Sequence, residues 1–98
     1  MPKSNNKIMK LKNYPPKFTT IEDERPSLEK AQELVGGFVE LIELTSGDQL
    51  LVNEEGLLKG LPLNEYATYI ASHMSNLTYP YGIKGNAVLL QGDARWID

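Results

Sequence analysis

The residues of this sequence best suited to chemistry are carboxylates and amides: Glu40, Asn53, Glu54, Glu55 and Asn64. Brought together, such groups can hold a divalent cation or hydrogen-bond a polar ligand such as a nucleotide. Glu54 and Glu55 are adjacent, so in a continuing strand they point to opposite faces, whereas in a turn both reach the same side. The competing reading is a plain turn in which Asn53 bonds locally and Gly56 supplies a positive φ, and no calcium-loop spacing is present. Glu40 lies between Phe38 and Ile42 on one strand face. Its carboxylate is therefore either partly desolvated with a raised pKa, as a general acid or base requires, or solvated on an open sheet face. Asn64 could contact a ligand, yet helix capping accounts for it fully.

Other chemistry is restricted. The sequence has no cysteine, which excludes disulfides, thiolate metal sites and cysteine nucleophiles. His73 is the single histidine, which rules out a two-histidine metal site; near the end of a helix it reads as a capping or surface group. Lys59-Gly60 is too short for a phosphate loop, and there is no serine triad motif, nucleophile elbow or dinucleotide fingerprint. No catalytic residue, metal site or cofactor is expected.

Two further groups of residues suggest contact surfaces. Tyr66, Tyr69, Tyr79 and Tyr81 fall near one helix and the loop after it, where they could anchor a partner protein or stack a base, or simply cover a small core. Lys3, Lys7, Lys10, Lys12 and Lys17 all precede Phe18 with no acid among them, while the rest of the chain carries all 13 acidic residues against five basic ones, for a net charge of −3. A basic arm on an acidic body fits contact with nucleic acid or an acidic partner, or a lysine-protected edge strand. The absence of arginine and of a base-stacking pattern among the lysines favours the edge strand.

These residues must be positioned by a small number of elements. At 98 residues, with 41% hydrophobic and 23% charged, the composition is that of one globular domain. Residues 1–6 read as a disordered start and 7–98 as a single α+β domain. A strand over Lys7–Lys12 and another over Lys17–Ile21 form a hairpin around Pro15 and Pro16. Ser27 caps a short amphipathic helix whose apolar face is Leu28, Ala31, Leu34 and Val35, and Gly36-Gly37 ends it. Phe38–Leu44 and Gln49–Asn53 form a second hairpin.

A tight turn centred on Ser46 and Gly47 would pair Ile42 with Leu51 and Glu40 with Asn53, leaving Val39, Leu41, Leu50 and Val52 on the core face. The polar elbow of residues 53–60 leads to Asn64, the cap of a second helix with the apolar stripe Leu63, Ala67, Ile70, Ala71 and Met74, in which Leu61 and Leu63 fill core. Ala87-Val88-Leu89-Leu90 reads as a strand covered on both faces, with Trp96 docking on the body. The predicted architecture is a single, mostly antiparallel sheet of about five strands with two helices packed against it, in the order ββαββαβ.

No apolar run approaches the roughly 18 residues of a membrane span, and no apolar signal core opens the chain, so a cytoplasmic protein is expected. At Gln32-Glu33-Leu34-Val35-Gly36-Gly37, Glu40, Val52-Asn53-Glu54-Glu55-Gly56 and Gly60-Leu61-Pro62-Leu63-Asn64, the sequence resembles a family of small domains of unknown function found in bacteriophages, large DNA viruses and bacterial mobile elements. The similarity runs over roughly Ser27–Leu90. It departs at the lysine-rich start and in the longer loop from Tyr79 to Lys84. The family has no established reaction, so what the resemblance implies is a setting: the cytoplasm of a host cell, and a host or phage protein as partner. The expected function is a non-enzymatic protein-interaction module acting through the sheet face shared by Glu40 and Asn53. Binding of a polar small molecule, or of nucleic acid through the lysine arm, are the alternatives.

Overall fold

The computed structural model describes residues 15–96. In chain order the elements are strand β1 (Phe18–Ile21), helix α1 (Leu28–Val35), strands β2 (Val39–Glu43) and β3 (Gln49–Asn53), helix α2 (Glu65–Met74) and strand β4 (Ala87–Leu90), followed by a 3-10 turn over Gly92–Ala94. The expected strand over Lys7–Lys12, its hairpin with β1 and the disordered start at 1–6 fall outside the described residues.

Local chemistry explains where the helices begin and end. The Ser27 hydroxyl accepts the Lys30 amide at 3.0 Å and caps α1. Gly36, at φ 83°, closes the same helix with its amide donated to the Gln32 carbonyl at 2.8 Å. Asn64 caps α2 in the same way, accepting the Ala67 amide at 3.1 Å.

Among the described residues the sheet has four strands in the order β1-β4-β3-β2; β1 runs parallel to β4 and the other two pairings are antiparallel. The helices take opposite faces. Ala31 and Val35 of α1 pack on Leu51, Val88 and Leu90, whereas Ala67, Ile70 and Ala71 of α2 pack on Ile42, Leu50, Val52 and Ala87. The two central strands are thus covered on both sides. Leu50, Leu51 and Leu90 are each 0% exposed, and burial of such a side chain stabilises by about 1.5–3 kcal/mol.

The register of β2 on β3 differs from the expected one by a single residue. The observed pairs are Val39 with Asn53, Leu41 with Leu51 and Ile42 with Leu50. The cause is the hairpin loop: Leu44 donates to the Asp48 carbonyl at 3.0 Å, leaving Thr45, Ser46 and Gly47 in the loop, with Gly47 at φ 96°. A three-residue loop with glycine in the left-handed region replaces the two-residue turn, and a one-residue slip moves alternate side chains to the other face. Val39 and Leu41 consequently share a face with Leu51, and Ile42 shares the opposite face with Leu50 and Val52.

The chain end is fastened as expected. The Trp96 indole donates to the Pro26 carbonyl at 2.9 Å, and its amide donates to the buried Gln49 side chain at 2.6 Å. Leu63, expected in the core, is 43% exposed; its backbone bridges to Lys84 just before α2 begins.

Candidate functional site

Asn53 ends β3 with its side chain on the α1 side of the sheet, 5% exposed. Its Nδ2 donates to the Val35 carbonyl at 3.1 Å, and its Oδ1 accepts the Glu55 amide at 2.8 Å. The first bond satisfies a carbonyl at the end of α1 that has no partner within the helix. The second folds the elbow back over the strand end. Gly37 passes so near that a Cβ there would come within 3.0 Å of the Asn53 amide nitrogen.

Asn64 is used just as completely. Besides capping α2, its Nδ2 donates to the Gly85 carbonyl at 2.9 Å and to the Lys17 carbonyl at 3.1 Å. One side chain thereby joins the start of α2, the entry to β1 and the turn before β4. Thr68, one turn along α2, donates to the Asn64 carbonyl and accepts the Ile83 amide, both at 2.8 Å. The sequence carries no local signal for Thr68; only the folded position of the loop at 79–85 reveals it.

The carboxylates do not converge on these amides. Glu40 pairs with Val52 and lies on the α2 side of the sheet, opposite to Asn53, so the shared face expected for Glu40 and Asn53 does not exist. Glu54 is exposed, and Glu55 forms an ion pair with Lys59 at 3.3 Å within the elbow. The elbow is a succession of turns, with the Gly56 amide on the Asn53 carbonyl, Lys59 on Glu55, Gly60 on Leu57 and Leu61 on Gly56. Gly56 does not have the positive φ expected of it; that conformation belongs to Gly60, at φ 68°. Glycine is needed at position 56 because a Cβ would run into the Lys84 carbonyl. Among the described residues no three acidic or histidine side chains are grouped as a metal ion would require.

The tyrosines separate into two kinds. Tyr66 and Tyr69, 56% and 54% exposed, stand on the outer face of α2; Tyr66 meets Phe18 edge-on with centroids 4.6 Å apart, and Tyr69 lies over the His73 ring at 4.4 Å. Tyr81 is 70% exposed. Tyr79 instead packs against the α2-side core. Its hydroxyl is enclosed without a well-aligned hydrogen bond, since the Ser75 hydroxyl beside it donates to the Ala71 carbonyl at 2.7 Å. Burial first and the Glu40 carboxylate second raise the Tyr79 pKa above its ordinary value, and Ser75 opposes them. Tyr66 lines an open concavity together with Pro15, Pro16, Phe18, Pro62, Leu63, Asn64 and Glu65. Of the five lysines expected to form a basic arm, Lys17 lies among the described residues, and Lys3, Lys7, Lys10 and Lys12 do not.

A family model described as a domain of unknown function, DUF3846, matches residues 7–97. The chain belongs to the DUF3846 family. The match extends beyond the span from Ser27 to Leu90 on which the sequence resemblance rests, so the lysine-rich segment from Lys7 is part of the DUF3846 domain. No curated protein and no solved structure matches the chain. No helix among the described residues is long and apolar enough to cross a membrane.

Proposed function

We propose that this DUF3846 domain is a non-enzymatic protein-interaction module. The observation that carries this reading is the division of labour among its polar and aromatic side chains. Asn53 and Asn64, the two amides best placed to hold a ligand, are buried and direct their donors and acceptors at the backbone. Tyr66 and Tyr69 are instead left open on α2. Exposed tyrosines on a helix supply rigid apolar area with a polar tip, the composition found at the centres of protein interfaces. The resemblance to phage and mobile-element domains supports a host or phage protein as the partner and the host cytoplasm as the place.

The test is photo-crosslinking in cells that carry the gene naturally, with the reactive residue at Tyr69 or, as a control, at Glu29 on α1. The expected result is a crosslink to one protein from position 69, none from position 29, and its loss when Tyr66→Lys is added without a change in melting temperature. No crosslink from position 69, together with a nucleotide or divalent cation that raises the melting temperature, would refute the reading.

A further inference from the structure

Among the described residues strand β2 is an edge of the sheet, and its ladder with β3 determines which of its backbone groups remain open. At one end Glu54 donates to the Phe38 carbonyl at 2.8 Å, and at the other Leu44 donates to the Asp48 carbonyl at 3.0 Å. In an antiparallel pair, hydrogen-bonded and non-hydrogen-bonded positions alternate, so Phe38, Glu40, Ile42 and Leu44 face β3. The N–H and C=O groups of Val39, Leu41 and Glu43 therefore point away from the sheet. Among the described residues no hydrogen bond from another element reaches them. The Val39 and Leu41 side chains beside them are half-buried against the α1-side core, so an added strand would complete their burial.

Charge selects the occupant. From residue 31 to residue 58 the chain has Glu33, Glu40, Glu43, Asp48, Glu54 and Glu55 and no lysine or arginine. Edge strands are commonly guarded by lysine, and this one carries glutamate on both sides instead: Glu43 beside Val39 and Leu41, Glu40 on the other face. A second copy laid along β2 would bring two such acidic hairpins together, which like-charge repulsion disfavours. We propose that the outer edge of β2 accepts an extended segment of a partner protein that carries lysine or arginine on both of its faces. The backbone groups of Val39, Leu41 and Glu43 supply the pairing, and Glu40 and Glu43 supply the preference for a basic strand. The proposal rests on the interaction-module reading and adds the recognition chemistry.

The probe is a synthetic peptide, Lys-Lys-Thr-Val-Lys-Lys-Thr, added to the isotope-labelled full chain at low salt, with Glu-Glu-Thr-Val-Glu-Glu-Thr as its counterpart. The expected result is saturable shifts and slowed hydrogen exchange at the Val39, Leu41 and Glu43 amides in preference to Glu40 and Ile42, with affinity falling several-fold as salt is raised. Glu43→Pro, whose missing N–H faces outward, abolishes binding while leaving the β3 ladder intact, and Glu43→Ala only weakens it. Should the proline variant unfold, Glu40→Lys with Glu43→Lys must transfer binding from the basic peptide to the acidic one. Silence at β2, or equal binding of both peptides, would overturn the proposal. So would protection of these amides in the free chain, whether released by deleting residues 1–12 or dependent on protein concentration. A crosslink from position 69 that persists in any of these cases would leave the interaction-module reading standing.

Discussion

The Asn53 side chain donates to the carbonyl of Val35 at 3.1 Å, joining the end of α1 to the end of β3 across eighteen residues of chain. Together with the bond it accepts from Glu55, this makes Asn53 the hinge-pin between helix, hairpin and elbow. Asn53→Ala leaves a buried carbonyl and an amide without partners, and should cost about 2–6 kcal/mol in denaturant unfolding, from about 1–3 for each group left unsatisfied. Asn53→Asp should also destabilise, because it retains the acceptor for Glu55 but sets a carboxylate against the Val35 carbonyl.

Asn64 should respond unlike an ordinary helix cap. A cap alone is worth about 0.5–2 kcal/mol, and Asp normally substitutes for Asn there with little loss. Here Nδ2 also serves the Gly85 and Lys17 carbonyls. Asn64→Asp should therefore be almost as damaging as Asn64→Ala in thermal unfolding, and a near-neutral Asp variant would show that those two bonds contribute nothing.

The glycines of the elbow should part company in the same measurement. Gly60 has φ 68° and nothing within 4 Å of where a Cβ would stand, so Gly60→Asn, a residue that tolerates the left-handed region, should be mild. Gly56→Ala must displace the Lys84 backbone and should cost at least about 1–3 kcal/mol, the usual penalty of overpacking.

The outcome for these residues shows what the sequence could reveal. Ser27, Gly36 and Asn64 act within one helical turn, so residue type and spacing are enough to place both ends of α1 and the start of α2. The register of β2 on β3 was hidden because two- and three-residue loops both suit Thr45-Ser46-Gly47-Asp48. The apolar run Leu50-Leu51-Val52 carries the missing information: like Ala87-Val88-Leu89-Leu90 of β4, consecutive apolar positions in a strand imply cover on both faces. Asn53 and Asn64 were legible as polar residues at a strand end and a helix start. Their burial was not, because their partners Val35, Lys17 and Gly85 are distant in sequence.

Tyr79 provides a prediction in alkaline solution. Its pKa is raised in the folded chain, by burial foremost and by Glu40 next. The folded state therefore holds its proton more tightly than the unfolded state. The stability this contributes is complete below the ordinary tyrosine pKa and is lost as pH rises from there through the folded value. Glu40→Gln should lower the pKa of Tyr79 and narrow that window, as read by ultraviolet titration with Tyr79→Phe identifying the transition.

We propose that the amide and carboxylate residues around the elbow build the fold and hold no ligand. Amide mapping of the labelled full chain with ATP, magnesium and calcium tests it most directly. The expected result is no saturable shift at Asn53, Glu54, Glu55 or Asn64; saturable shifts gathered at these residues would overturn this reading.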